Sequence, residues 1–265
     1  MDGAVRSKNG KLRPNCISRV LIQSQGIHEK DRIGQILRIY LLRDTITAKA
    51  GIAVFTQFVV TIGRVTPAHI EMLGTAFLIS KDGLFATSRH VVGDNHTGLV
   101  VLSPHIQSIN AYQDVADNRC QPVDATVSEI DPIKDLALLK ADVSFSGALP
   151  PLGSLDEVSV GESVGIFGFP HCTEGRRVLT YQSTEIGAKI LLESTGIKNK
   201  HAVLNIQSRP GQSGSMVFSP RLGKIVGVLI GTYAPQFGIR LGNINPAELN
   251  QTTHIVSAEY IKDML

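Results

Sequence analysis

About a dozen short segments rich in Val, Ile, Phe and Thr, separated by turn-forming residues, run from residue 52 to residue 257, and this feature most constrains the fold. They fall at 52–64, 74–79, 84–87, 99–102, 123–129, 136–140, 163–168, 178–184, 202–207, 215–219, 225–230 and 253–257. Parallel strands need long crossover connections, usually helical, and little helical pattern separates these segments. The chain is therefore expected to be all-β, with closed antiparallel barrels or a sandwich. Lys81-Asp82-Gly83 suits a hairpin, because glycine accepts the positive φ that such turns require.

A chain of 265 residues can bury one large core or two small ones, and two small barrels sharing an interface fit that length. Residues 144–155 are apolar but broken by Pro and Gly, which makes them the natural linker. The expected division is a first barrel at about 51–143, the linker at about 144–155 and a second barrel at about 156–265. Residues 1–50 form a separate extension. Within it Ile33, Ile36, Leu37, Tyr40 and Leu41 recur at spacings of three and four, which predicts one amphipathic helix over about 29–44.

The extension carries ten Lys and Arg against four Asp and Glu, so a chain of net charge +3 is basic at its start and slightly acidic elsewhere. No aromatic residue is interleaved with this charge before Tyr40, which argues against nucleic acid as its partner and for a solvated arm or a contact with a regulatory protein. The longest apolar stretch, near 52–62, is interrupted by Thr56 and Gln57 and is shorter than a membrane span, so no membrane association is expected. The basic start is not followed by the apolar run of a secretion signal. Cys16, Cys120 and Cys172 are odd in number and unpatterned, which suggests neither a disulfide framework nor a zinc site. Together these features lead to the expectation of a cytoplasmic protein with free thiols.

Three segments carry candidate chemistry. In Arg-Pro-Gly-Gln-Ser-Gly-Ser at 209–215, Ser213 stands between Gly211 and Gly214, and glycines there let the chain turn sharply and bring amide N–H groups near a substrate carbonyl. A serine hydroxyl needs a base. Of eight histidines, His90 follows a strand-like segment and precedes a polar turn, a position from which a side chain can enter a cleft. The base needs an acceptor on its other nitrogen, and Asp135 abuts the apolar run Leu136-Ala137-Leu138-Leu139, where an unpaired carboxylate is costly to desolvate. Taken singly, each has an ordinary explanation: a turn, a packed histidine, or an aspartate (Asp131 or Asp135) starting a strand.

Their co-occurrence in the order His, Asp, Ser, 45 and 78 residues apart, is informative. The blocks GTAFLIS, KDGLFATSRHVV, DPIKDLALLK and RPGQSGSMVF resemble those of trypsin-like peptidases, most closely the bacterial HtrA (Deg) type. SVGIFGFP, GKIVGVLIGTY and the closing THIVSAEYIKDML are similar to later parts of the same domain. The resemblance covers about 74–265. It implies two antiparallel six-stranded barrels of the chymotrypsin type with a short C-terminal helix, and a serine endopeptidase that acts on polypeptides without a cofactor or metal. It also implies Ser213 as nucleophile, His90 as general base and then acid, Asp135 as the orienting carboxylate, the N–H groups of Gly211 and Ser213 as oxyanion hole, and Gln207 near the base of the primary specificity pocket. Gln207 carries no charge, so strict selection of Lys or Arg is not implied.

Departures from the family pattern are Ser215 where a second glycine is usual and Ser88-Arg89 before the histidine. No PDZ module is expected after the peptidase domain, since the sequence given ends eight residues beyond Ser257. His171 lacks companions at metal-ligand spacing, and Cys172 beside it reads as a free thiol near the active site, with a redox role as the alternative. The competing reading of the whole chain is a silent or latent protease-like domain that binds peptides or proteins, with the cleft closed or the oxyanion turn misformed; for the peptidase itself a zymogen-like resting state is expected, in which the turn at 211–215 orders only when a partner or substrate binds.

Overall fold

The described part of the chain forms twelve antiparallel strands, several of them buried along nearly their whole length and others, such as Thr180–Ser194, alternating between half-buried and exposed side chains. The computed structural model describes residues 53–104, 106, 108–117, 119–233 and 252–265. The expected helix at 29–44 and the basic extension lie outside these residues. The first six strands are β1 (Val59–Val65), β2 (Ile70–Ser80), β3 (Leu84–Ser88), β4 (Leu99–Leu102), β5 (Val123–Asp131) and β6 (Leu136–Ala141). They close into a barrel in the order β1-β2-β3-β6-β5-β4. Strands β7 (Ser163–Gly168), β8 (Thr180–Ser194), β9 (Ile197–Leu204), β10 (Met216–Ser219), β11 (Lys224–Tyr233) and β12 (Thr252–Ser257) close a second barrel in the order β10-β11-β12-β9-β8-β7. The all-β character expected from the segment pattern, and the two six-stranded barrels that the resemblance implies, are thus what is observed.

Closure requires curvature, and six register shifts supply it, among them Ile62/Gly63 in β1, Val127/Glu129 in β5 and Leu229/Gly231 in β11. The Ser80–Gly83 hairpin forms where expected, with Gly83 at φ 90°. Several predicted segments differ at their ends, and three differ most. The start of 52–64 is a 3-10 turn, Ala53–Gln57, which folds Phe55 back against Phe167 and Phe218 of the second barrel. The segment begun at 178 runs on to Ser194, and its partner β9 starts at Ile197 rather than at 202. The chain closes on a 3-10 helix, Ala258–Met264.

One buried cluster fills the first barrel (Phe58, Ile62, Phe77, Leu138) and continues across the interface into Phe167, Phe169, Met216 and Val228. A second, with Val164, Ile166, Leu204 and Ile255, fills the interior of the other barrel. The chain between β6 and β7 joins the barrels, and part of it lies along β11: Gly153 N–H donates to Ile225 O (2.7 Å) and Ile225 N–H to Pro151 O (3.0 Å). No described helix is long and apolar enough to cross a membrane.

Candidate active site

β3 ends at Ser88, and the single helical turn Arg89–Val92 that follows carries His90. Three hydrogen bonds fix this turn to Asp135. Arg89 N–H donates to Asp135 O (2.9 Å), His90 N–H to Oδ1 (2.9 Å), and His90 Nδ1 lies 2.5 Å from Oδ2. A carboxylate only accepts, so Nδ1 carries a proton, and in the neutral imidazole Nε2 is the nitrogen that keeps its lone pair. Asp135 sits at φ 54°, a conformation that costs most residues free energy and that aspartate tolerates better than most. Asp131 holds the preceding loop in place: Oδ1 accepts from the N–H groups of Ile133 and Lys134 (both 3.0 Å), and Oδ2 from Lys134 Nζ (2.6 Å). Burial alone would raise the Asp131 carboxyl, but Lys134 and these N–H groups outweigh it and hold it below its ordinary value. Asp131 is therefore the loop anchor, and Asp135 is the carboxylate that meets the histidine.

Ser213 comes from the other barrel, on the turn before β10. Gly211 and Gly214 stand at φ 89° and 83°, where a side chain is strained, and a Cβ on Gly214 would lie 2.0 Å from Thr75 O. Gln212 is fully buried and ties the turn internally, with Oε1 accepting from Arg209 N–H (2.7 Å) and Nε2 donating to Gln182 Oε1 (2.6 Å). Among the described residues nothing accepts from the N–H of Gly211 or of Ser213. The Ser213 hydroxyl donates to Ile230 O (3.0 Å) and not to His90. Ser88 Oγ donates to Leu229 O (3.1 Å), the neighbouring carbonyl of β11, so the His90 segment and Ser213 meet on successive peptides of one strand. Gly74 lies between them: a Cβ there would be 2.8 Å from Val91 and 3.1 Å from Ser213 O.

Ser215, the residue that departs from the family pattern, is fully buried, and its Oγ has no hydrogen-bond partner. A Cβ on Gly168 would fall 1.8 Å from that oxygen, so Gly168 provides the space that Ser215 fills. Gln207 Oε1 accepts from Arg209 Nη1 (2.7 Å), which turns its amide toward a cation of the same chain. Cys172 is fully buried under the turn, with Sγ 3.7 Å from Gly211 O, and burial pushes its thiol up to about 12. The neighbouring His171 faces Glu174 (3.2 Å), and among the described residues no group of three or more His, Cys, Asp or Glu could hold a metal ion.

Sequence reasoning passed over Thr75, which bonds to Ser213, Gly211 and Phe169 at once. Its one signal in the sequence is a hydroxyl residue within the apolar run Leu73–Ile79, beside Gly74 and Ala76.

The fold is a pair of six-stranded barrels, of which the first carries the His90–Asp135 pair and the second the glycine-flanked Ser213. The family model of the trypsin-like peptidase domain matches residues 74–228, more than half of the chain, and the chain belongs to that family. A probable periplasmic serine endoprotease, DegP-like, from Pseudomonas fulva (strain 12-X) is 28% identical over 162 residues, which cover 60% of this chain and 29% of that relative. The match therefore spans less than a third of the relative's length. Among solved structures, the HtrA-type protease AlgW with a decapeptide has a TM-score of 0.57 at 17% identity, covering 81% of this chain and 66% of its own. The active form of the Rv3671c protease from M. tuberculosis has a TM-score of 0.56 at 21% identity, covering 84% and 86%. Both likenesses show the fold.

The curated relatives are described as periplasmic, which corrects the expectation of a cytoplasmic protein. The physical reason lies in the cysteines. An odd, unpatterned set suggests no disulfide framework but does not require a reducing compartment, because a thiol buried as Cys172 is shielded from oxidants wherever the chain resides.

Proposed function

We propose that this chain is a serine endopeptidase that hydrolyses polypeptides through an acyl-enzyme on Ser213. The observation that carries the reading is the 2.5 Å contact of His90 Nδ1 with Asp135 Oδ2, reinforced by His90 N–H on Oδ1. It orients the imidazole and leaves Nε2 to take a proton from serine. At rest the Ser213 hydroxyl is parked on Ile230 O, and rotation about χ1 to another staggered position releases it toward His90. The Oγ–H proton then passes to Nε2 as Oγ bonds to the scissile carbonyl carbon, and the carbonyl oxygen becomes an oxyanion facing the N–H groups of Gly211 and Ser213. Collapse breaks the C–N bond, and the leaving amine takes the proton from His90. Water, deprotonated by the same imidazole, then attacks the ester, releases the acid and restores Ser213.

An extended peptide is the substrate class that this reading implies. AlgW was solved with a decapeptide, which supports the same for a chain of this fold. Gln207, which the resemblance places near the base of the specificity pocket, is uncharged and paired with Arg209, which supports a reading in which cleavage after basic residues is not favoured over cleavage after neutral ones. The basic residues 1–50 are the segment assigned to a regulatory protein partner, on the strength of their charge. The parked hydroxyl and the cramped Ser215 favour a second reading, a latent or silent domain that binds peptides.

Labelling with a fluorophosphonate separates the two. The wild type is expected to gain one adduct, on Ser213, that Ser213→Ala abolishes and His90→Ala slows by roughly a thousandfold or more, since the serine and its base act as a unit. A folded wild type that takes no adduct would overturn the peptidase reading and leave the binding domain.

A further inference from the structure

Thr75 of β2 belongs to the first barrel, is fully buried, and directs most of its polar atoms at the nucleophile turn or its support. Its N–H donates to Ser213 O (2.9 Å). Its Oγ1 donates to Gly211 O (2.8 Å) and accepts from Phe169 N–H (3.1 Å), while its own carbonyl accepts from Thr87 Oγ1 (2.7 Å). The peptides of the turn alternate between two sets of partners. Pro210 O accepts from His171 N–H (2.6 Å), and Gln212 O from Ser215 N–H (2.9 Å). Because C=O and N–H point in opposite directions across a trans peptide, these two bonds turn the N–H groups of Gly211 and Ser213 away from His171 and Ser215, and among the described residues nothing accepts from them. The intervening carbonyls, those of Gly211 and Ser213, are the two that Thr75 holds.

We propose that Thr75 is a positioning residue for the oxyanion hole: through its amide and its hydroxyl it clamps Gly211 O and Ser213 O from the first barrel and so keeps the Gly211 and Ser213 N–H groups convergent. This inference rests on the peptidase reading above and names a residue that sets its geometry. The hydroxyl carries the part of the clamp that can be tested, since the backbone bond to Ser213 O survives substitution. Gly211 is the point at which the turn can swivel, because it has no side chain and sits at φ 89°. Without Oγ1, its buried carbonyl keeps only the Cys172 thiol at 3.7 Å, a weak donor, and Phe169 N–H loses its acceptor as well. A rotation of the Gly211–Gln212 peptide to find a new donor carries the adjoining Gly211 amide with it. The hole then loses aim while the His90–Asp135 pair, which Thr75 does not touch, stays as it is.

The test compares Thr75→Val, which keeps the shape and removes the hydroxyl, with Thr75→Ser, which restores the hydroxyl and removes the methyl. The readouts are the second-order rate of fluorophosphonate labelling, whose phosphoryl oxygen occupies the oxyanion hole, and kcat and KM on any peptide that the wild type cleaves. Loss of one oxyanion donor slows catalysis by roughly 100- to 1000-fold, so partial misplacement in Thr75→Val is expected to slow labelling and kcat by about 10- to 100-fold with KM within about threefold. Thr75→Ser is expected to recover to within about threefold of wild type, which a purely structural role for the methyl would not produce. Thr75→Cys, with a longer and weaker donor, takes the place of Thr75→Val if that variant does not fold, and the same criteria apply. A folded Thr75→Val that labels at the wild-type rate, or a Thr75→Ser as slow as Thr75→Val, overturns the proposal. A wild type that takes no adduct overturns the peptidase reading itself, and this inference with it.

Discussion

His201 on β9 is 7% exposed, and its Nδ1 has no hydrogen-bond partner. Burial, and then the nearby His254, push its pKa from 6.5 down to about 4, with the Asp135 carboxylate opposing them in part. The folded protein therefore holds His201 neutral where the unfolded chain would protonate it. Stability from this group is complete above the unfolded value of 6.5 and is lost as pH falls from 6.5 toward 4, because the unfolded state binds the extra proton. The loss is at most on the order of 3 kcal/mol for a shift of this size. His254, which burial also depresses, adds to the same slope. Urea unfolding of His201→Leu between pH 4 and 7.5 is expected to give a flatter pH dependence than wild type, and an unchanged slope would show that His201 is not the group responsible. None of this was legible in the sequence, where His201 is one of eight histidines. His90 was legible because a serine block and an aspartate block stood at matching distances.

At the scale of elements, the legible parts are those where burial alternates or runs continuous. β4 and β7 fall at the residues that the pattern predicts, 99–102 and 163–168, with nearly every side chain buried. The β8–β9 hairpin was not legible. It extends past the barrel with Leu191, Leu192 and Ile197 exposed, so its apolar residues do not mark a buried face, and its turn is Thr195-Gly196 rather than the Asn-Gly or Asp-Gly that usually signals two positive φ values. Thr75 was illegible for a related reason: threonine is an ordinary strand residue, and only its contacts across the interface distinguish it. The turn Cys172–Glu174 shows what such packing does to reactivity. A Cβ on Gly211 would lie 2.7 Å from Cys172 Sγ, so the sulfur is wedged against the nucleophile turn, and burial, which pushes the thiol up to about 12, disfavours the reactive thiolate. Native treatment with iodoacetamide at pH 8, followed by peptide mass mapping, is expected to leave Cys172 unmodified while the half-buried Cys120 reacts. Rapid alkylation of Cys172 would mean that the turn opens in solution, and would revive the redox role.

For the whole molecule, the question is whether two barrels fold as one unit, since His90 and Asp135 come from the first and Ser213 from the second. The buried cluster that fills the first barrel continues into Phe167, Met216 and Val228, so the two barrels share part of one core although the second also has a cluster of its own. Phe55 is at the seam. Its ring centroid lies 5.3 Å from that of Phe58 in the first barrel, and 4.6 and 4.8 Å from those of Phe167 and Phe218 in the second, although Phe55 itself belongs to the 3-10 turn ahead of β1. Truncating a buried phenylalanine typically costs about 3–5 kcal/mol, from lost transfer energy and from the cavity left behind. Phe55→Ala is accordingly expected to lower Tm by roughly 6–15 °C, with unfolding still a single transition, because each barrel loses part of the same contact. Calorimetry distinguishes the alternatives. If Phe55→Ala splits the transition in two, the seam holds together barrels that can stand apart, and the labelling rate of Ser213 should fall as they separate. If Tm is unchanged, the aromatic cluster contributes little, and the hydrogen bonds from Thr75 to Ser213 and from Ser88 to Leu229 carry the coupling between the barrels.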